Sequence, residues 1–268
     1  MHMNLHSMFY YSADSVKFDL MITEYILHGI FEAFPVSSSM HSMLFNYAMQ
    51  NSYVMQNIGI IGILHGITAI VTIVYFHKSI IKLLIDFIKP GHYNFLSWKL
   101  CLILLPKLLF GFIYRNANFP FSFYTIIAFG LLLAFYDIYS HQNKKAHEIS
   151  YMQSIFISFL SLFAFLPGAS SLGTYYTAFR ACNINRKESL DYAFILNVIP
   201  SIGAFVLRFT YVEVNLVRIF TCMFVYLFAL ILCRKLINYL YLLGIYRVII
   251  GIWVCQNINI QKYFYCAF

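Results

Sequence analysis

Charge is what this chain has least of. Only 10% of its 268 residues are Asp, Glu, Lys or Arg, against 61% that are hydrophobic, and the mean hydropathy is +0.73. A water-soluble domain, which carries about a quarter of its residues charged, is excluded. The Lys and Arg behind the net charge of +8 are spread over short connections and build no basic face with interleaved aromatics, which excludes a nucleic-acid partner. Cys101, Cys182, Cys222, Cys233, Cys255 and Cys266 form no Cys-x-x-Cys pair and mostly sit inside apolar runs, so they read as small buried hydrophobes. Residues 1–20 lack the basic-then-apolar order of a cleavable signal, and no processing is expected.

Long apolar runs are what the chain has in place of charge. A hydrocarbon core about 30 Å thick needs about 20 apolar residues per helix. Runs of that kind lie at Gln56 to Phe76, Ser97 to Tyr114, Phe121 to Tyr139, Glu188 to Leu207, Val214 to Cys233 and Ile237 to Val254. Two further stretches, Leu20 to Ala48 and Tyr151 to Phe179, are interrupted by Pro, Gly and Ser and read as broken or re-entrant hairpins. The expected fold is therefore all-α: one integral membrane domain over 1–268, with about six full spans and two re-entrant hairpins.

Sidedness follows from the basic residues. Lys78, Lys82 and Lys89 in one loop, Lys144 and Lys145 in a second, Arg180, Arg186 and Lys187 in a third, and Arg234 and Lys235 in a fourth mark the cytoplasmic side. The connections at Asn116 to Asn118 and Thr210 to Asn215, with both termini, fall outside. The two interrupted stretches also resemble each other. One reads Phe34-Pro35-Val36-Ser37-Ser38-Ser39 and the other Leu166-Pro167-Gly168-Ala169-Ser170-Ser171. The charge pattern gives them opposite orientation, so 1–140 and 141–268 are expected to form an inverted repeat with a site where the breaks meet. Non-helical backbone at membrane depth is tolerated only inside protein or facing water, so serine-rich breaks imply a polar cavity.

Glu24, His28 and Glu32 fall at i, i+4 and i+8, on one helical face. A charge at bilayer depth costs at least about 2.5–3.5 kcal/mol on insertion scales, so Glu32 beside the break reads as functional, or as a structural pair with His28. Glu24, nearer the end of the run, reads as an interfacial carboxylate. Ser38 and His41 share a face if a helix resumes after the break. They are then either the elements of an activated nucleophile or, for the serine, a helix cap. The Gly- and Ser-rich loop Pro167 to Thr174 at a helix start favours an anion, phosphate above all. Lys107 lies too deep in its span to snorkel easily and needs a bound anion or Glu32 as partner. Arg247 either reaches the cavity or snorkels.

The motifs Glu32-Ala33-Phe34-Pro35-Val36-Ser37-Ser38-Ser39-Met40-His41 and Pro167-Gly168-Ala169-Ser170-Ser171-Leu172-Gly173, with Tyr246-Arg247 near the end, resemble bacterial undecaprenyl-diphosphate phosphatases of the bacitracin-resistance type. The likeness covers nearly the whole chain. It implies a multi-pass protein of the bacterial inner membrane that cuts the terminal phosphate from a polyprenyl diphosphate and recycles the lipid carrier for peptidoglycan synthesis, with its site toward the periplasm. Carried over by position, Glu32, Ser38 and His41 are the catalytic set. Ser37, Ser39, Gly168, Ser170, Ser171, Gly173 and Thr174 surround the phosphate, with Lys107 and Arg247 as further ligands. As a hypothesis of its own, not carried over from the family, His28 and Glu32 are expected to bind a divalent metal, Ca²⁺ or Mg²⁺. No organic cofactor is implied, and a homodimer is compatible with the reading.

The sequence departs from the family pattern where it places His28 for a motif glutamate and Ser171 for the phosphate-binding arginine. Losing that arginine removes a permanently charged bidentate clamp. Lys107, Arg180 and Arg247 are the available replacements. The same scaffold also admits a polyprenyl-lipid flippase or transporter, or a catalytically decayed relative, because fold alone does not fix function.

Overall fold

The computed structural model describes residues 22–48, 58–88, 96–114, 122–141, 145–208 and 215–257, and helices are its main elements. A first helix, α1, covers 22–33 and gives way at Phe34 to Ser37 to a short non-helical break. It is followed by α2 (Ser38–Ala48), α3 (Ile58–Tyr75), α4 (His77–Ile88), α5 (Leu96–Ile113) and α6 (Phe123–Tyr139). The second half runs α7 (Tyr151–Leu162), a 3₁₀ turn at Phe163–Phe165, a break, α8 (Ser171–Ala181), α9 (Arg186–Arg208), α10 (Leu216–Lys235) and α11 (Leu240–Gln256). The positions Lys89, Asn116 to Asn118, Lys144, Thr210 to Val214 and Cys266, which entered the reading of sidedness and cysteines, lie outside the described residues.

Within the described residues, each expected apolar run is helical. α5, α9 and α10 are long and apolar enough to cross a bilayer, as is α11 taken with the 3₁₀ turn before it, while α3 continues through an 81° bend into α4. The remaining run, α6, is an apolar helix of 17 residues. Pro106 and Pro200 stand inside α5 and α9, where neighbouring helices can tolerate the lost backbone bond. The outward faces carry large apolar side chains such as Val74, Phe112, Phe135, Phe224, Phe228 and Ile249, as a lipid-facing surface requires. Polar groups turn inward instead: Glu24, His28, His41, Lys107, Asp137, Arg180 and Arg247 are all buried.

Small residues set the closest helix crossing. α6 packs along α11, and a Cβ on Gly244 would lie 2.6 Å from the Gly130 carbonyl oxygen. Glycine at both positions is what lets the two backbones touch. α3 packs on α9, α5 on α7, and α8 on α6, α7 and α9, so α8 is enclosed.

Three expectations change. Lys78 and Lys82 are not in a loop but on α4, whose bend is marked by Phe76. Their apolar neighbours Ile81, Leu84, Ile85 and Ile88 are exposed at i, i+3, i+4 and i+7, an amphipathic pattern that suits an interfacial helix. Arg180 is likewise not in a loop but fully buried in α8. Its guanidinium donates to the carbonyls of Ile184 (2.5 Å) and Ser140 (2.8 Å) and lies 3.7 Å from Asp137. Glu24, expected at the aqueous face, is only 4% exposed, because α1 is covered by its neighbours from its first described turns.

Candidate functional site

Both breaks end in the same local device. In the first, Ser37 Oγ accepts from the Met40 N–H at 3.3 Å, and in the second Ser170 Oγ accepts from the Gly173 N–H at 3.1 Å. Each serine thereby satisfies one of the orphan donors at a new helix start. Ser170 holds φ = 65° and Gly168 φ = 95°. That left-handed backbone is costly for a serine, and its presence between two helices is the kind of strain that accumulates at functional sites.

Arg247 joins the two breaks. It is 1% exposed, and it donates to the Pro35 carbonyl at 3.3 Å on one side and to the Gly168 and Ala169 carbonyls at 2.7 and 3.0 Å on the other. It does not snorkel: backbone carbonyls accept three of its N–H groups, while its Nε–H is buried without a hydrogen-bond partner among the described residues. The same junction explains Gly173: a Cβ there would stand 3.1 Å from both Arg247 Nη1 and the Pro35 oxygen.

A polar chain crosses from one half to the other beside this clamp. Ser38 Oγ donates to Glu32 Oε2 at 2.7 Å, and Asn197 Nδ2 from α9 reaches Glu32 Oε1 at 3.4 Å. The Asn197 side-chain oxygen Oδ1 accepts the Ser171 hydroxyl, and Lys107 Nζ donates to Ser171 Oγ at 2.5 Å. Lys107 also lies over the Tyr175 ring, 4.4 Å from its centroid, a cation–π contact that helps hold a desolvated ammonium. The result places an amine at the first residue of α8, where free N–H groups and the positive dipole end already favour an anion. Of the three cations weighed as replacements for an arginine at Ser171, Lys107 is the one that bonds the Ser171 side chain, while Arg247 is turned onto the backbone carbonyls of the same break and Arg180 onto Ile184 and Ser140.

His41 is placed differently from the expected serine–histidine pair. Its Nδ1–H donates to the Ser37 carbonyl at 2.6 Å and its Nε2 accepts from the Tyr246 hydroxyl at 2.7 Å, while its ring stacks on Phe31 at 3.7 Å. Ser38 is therefore bonded to Glu32 rather than to His41, and the carboxylate is the base within reach. Ser39 is exposed and shares a 3.0 Å bond with Ser37 Oγ. Thr174 bonds back to the Ser171 carbonyl at 2.9 Å, which turns its hydroxyl onto its own helix.

Two residues of this centre escaped the sequence reading, His65 and Asn197. Each is a lone polar side chain in an otherwise apolar stretch, the signal that marked Lys107. His65 lies on α3 with Nδ1 3.6 Å from Glu32 Oε1, and one ligand atom each from His28, Glu32 and His65 lie within 4.8 Å of one another. Two imidazoles and one carboxylate do not fit Ca²⁺ or Mg²⁺, hard ions that take about six to eight oxygens or a near-ideal oxygen octahedron.

Taken together, the fold and this centre define a polytopic helical membrane protein with a cluster of buried polar side chains where two helix breaks meet. Comparison with known proteins narrows the class. Residues 22–253 match the family described as bacitracin resistance protein BacA, and the chain belongs to that family. It is 27% identical over 197 residues to the undecaprenyl-diphosphatase of Thermosipho africanus, covering 71% of this chain and 78% of that one. A protein of the same name from Vesicomyosocius okutanii is 27% identical over 190 residues, covering 65% and 70%. Another from Ruthia magnifica is 28% identical over 187 residues, covering 65% and 69%.

Proposed function

We propose that this chain is an integral membrane phosphatase that removes the terminal phosphate from undecaprenyl diphosphate or a similar polyprenyl diphosphate, and that it works in the bacterial inner membrane with its site toward the periplasm. The observation that carries the reading is the Lys107–Ser171 contact at the start of α8, joined through Asn197 to the Glu32–Ser38 pair. A phosphate seat and an activated hydroxyl thus face one centre. Family membership supports the substrate class.

The chemistry follows from those contacts. Ser38 Oγ bonds to the terminal phosphorus while its proton passes to Glu32 Oε2, and the bond from that phosphorus to the bridging oxygen breaks, releasing the lipid monophosphate. Water then attacks the phosphoserine, Ser38 recovers its proton from Glu32, and inorganic phosphate leaves. Lys107, Ser170 and the first turn of α8 stabilise the charge on the non-bridging oxygens, and most of the rate comes from such positioning and neutralisation. His41, whose Nε2 accepts from the Tyr246 hydroxyl, is assigned the acid/base exchange with water through that hydroxyl in the second half of the reaction.

The lipid tail has a seat nearby. An apolar cavity of about 390 Å³ is lined by Ile73, Leu84, Leu104, Leu196 and Ile199 among others. Leu104 is one helical turn before Lys107, and Leu196 adjoins Asn197. We assign 1–140 and 141–268 as halves of an inverted repeat, which would explain why the two breaks meet with matching caps.

The test is inorganic phosphate release from C55 diphosphate by the purified chain in detergent. Release that Ser38→Ala and Glu32→Gln abolish is the expected result. A folded wild-type chain that releases none overturns the proposal, and lipid movement across vesicles without release would make it a flippase.

A further inference from the structure

We propose that His28, Glu32 and His65 form a binding site for a first-row transition-metal ion, Zn²⁺ being the natural occupant, in place of a calcium or magnesium site. His28 and Glu32 are one turn apart on α1, and His65 reaches them from the middle of α3. Their ligand atoms lie within 4.8 Å of one another, a spacing that small side-chain rotations reduce to the span of a shared ion with ligand bonds of about 2.0–2.2 Å. The imidazole rings of His28 and His65 meet edge to face with centroids 5.1 Å apart, so their nitrogens converge without stacking.

What points to a ligand is the state of the nitrogens. His28 is 4% exposed, and its Nε2 has no hydrogen-bond partner; His65 Nδ1 has none either. A buried polar atom left unsatisfied is destabilising, and here two such atoms lie beside the same carboxylate. A purely structural histidine–glutamate pair would need one imidazole and would close its hydrogen bond, whereas the 3.6 Å between His65 Nδ1 and Glu32 Oε1 leaves that bond open. Glu32's other oxygen is fixed by Ser38 at 2.7 Å, the kind of outer-shell bond that orients a metal-ligating carboxylate.

The donor set selects the metal class. Two neutral imidazoles and one carboxylate suit Zn²⁺, Co²⁺, Mn²⁺ or Fe²⁺, and the two-histidine, one-carboxylate pattern leaves coordination positions free. With one carboxylate the loaded site is net positive. Only Asn197 stands between Glu32 and Ser171, so that charge adds to Lys107 beside the phosphate seat. The relevance to phosphate rests on the proposed reaction; the metal site itself does not.

The experiment is metal retention by the full chain, purified in detergent, stripped with EDTA, loaded separately with Zn²⁺, Co²⁺, Mg²⁺ and Ca²⁺, desalted and analysed for bound metal. One equivalent of Zn²⁺ or Co²⁺ per chain is expected, with Mg²⁺ and Ca²⁺ washed away, and with the ion lost from His28→Gln and His65→Gln. Thermal melts show whether these variants fold. Should they not, X-ray absorption on the Zn²⁺-loaded wild type must show scattering from two imidazoles. Failure to retain Zn²⁺ or Co²⁺, retention unchanged in both folded variants, or a zinc spectrum without imidazole overturns the site. Phosphate release by a chain that binds no transition metal would sink this inference and leave the phosphatase reading standing. Stoichiometric zinc with no phosphate release would do the reverse.

Discussion

Lys107 follows Pro106 in the middle of α5 and directs its charge at Ser171, the position where the motif resemblance leads one to expect an arginine. An amine delivered from another helix replaces the charge but not the bidentate fork. Lys107→Met should therefore lower kcat/KM for phosphate release by about 100-fold, the usual cost of deleting one preorganised donor. Adding Ser171→Arg to that variant should recover much of the loss, and steady-state kinetics on C55 diphosphate would read both. Arg247 acts on structure instead. Arg247→Met strips the donors from three carbonyls at the junction of the breaks, each buried unpaired acceptor costing about 1–3 kcal/mol. A clear drop in Tm in detergent is expected, smaller for Arg247→Lys; an unchanged Tm would show that the clamp is not needed.

At the scale of elements, the two serine-capped breaks let helices stop inside the protein and form what we propose is the seat of the phosphate. Their placement depends on close helix contacts elsewhere. Gly244→Leu should force α6 and α11 apart, because its Cβ would meet backbone at 2.6 Å and no side-chain rotation relieves that. A lower Tm and weaker activity are expected, whereas Gly203→Ala, with nothing within 4 Å of its Cβ, should match the wild type in both. A further element-level device is Asp137, fully buried, which accepts from Tyr176 at 2.5 Å, Arg186 at 2.9 Å and the Tyr241 N–H at 3.1 Å. It ties α6, α8, α9 and α11 together and explains why Arg180 is not free for the site.

For the whole molecule, the large exposed apolar side chains suit a membrane solvent, and in the proposed reaction sidedness decides which face supplies the water and receives the phosphate. Asn215→Cys should react with a membrane-impermeant maleimide in intact spheroplasts, and Lys235→Cys only after permeabilisation. The opposite labelling pattern would place the basic ends outside and reverse the orientation. The helical content, the two breaks and the residues Glu32, Ser38, Ser171 and Lys107 were all legible in the sequence, because an interrupted apolar run and a charge at bilayer depth are costly enough to be conspicuous. His65 and Asn197 were not recognised, since a single uncharged polar residue in a long span is a weak signal until a partner is seen.

The sequence by itself determined that the chain folds as apolar helices, where two of them break, and which few polar side chains must be hidden. Those outcomes follow from local hydropathy and backbone chemistry. Only the tertiary structure decided the partners: that Ser38 pairs with Glu32 and not His41, that Arg247 holds the breaks together, and that Lys107 rather than Arg180 meets Ser171. The Ser38–Glu32 bond spans only six residues and depends on how the first break is turned. The Lys107 and Arg247 pairings instead join residues far apart in the chain and depend on how helices cross, which is set by the summed packing of many apolar contacts that no local stretch encodes.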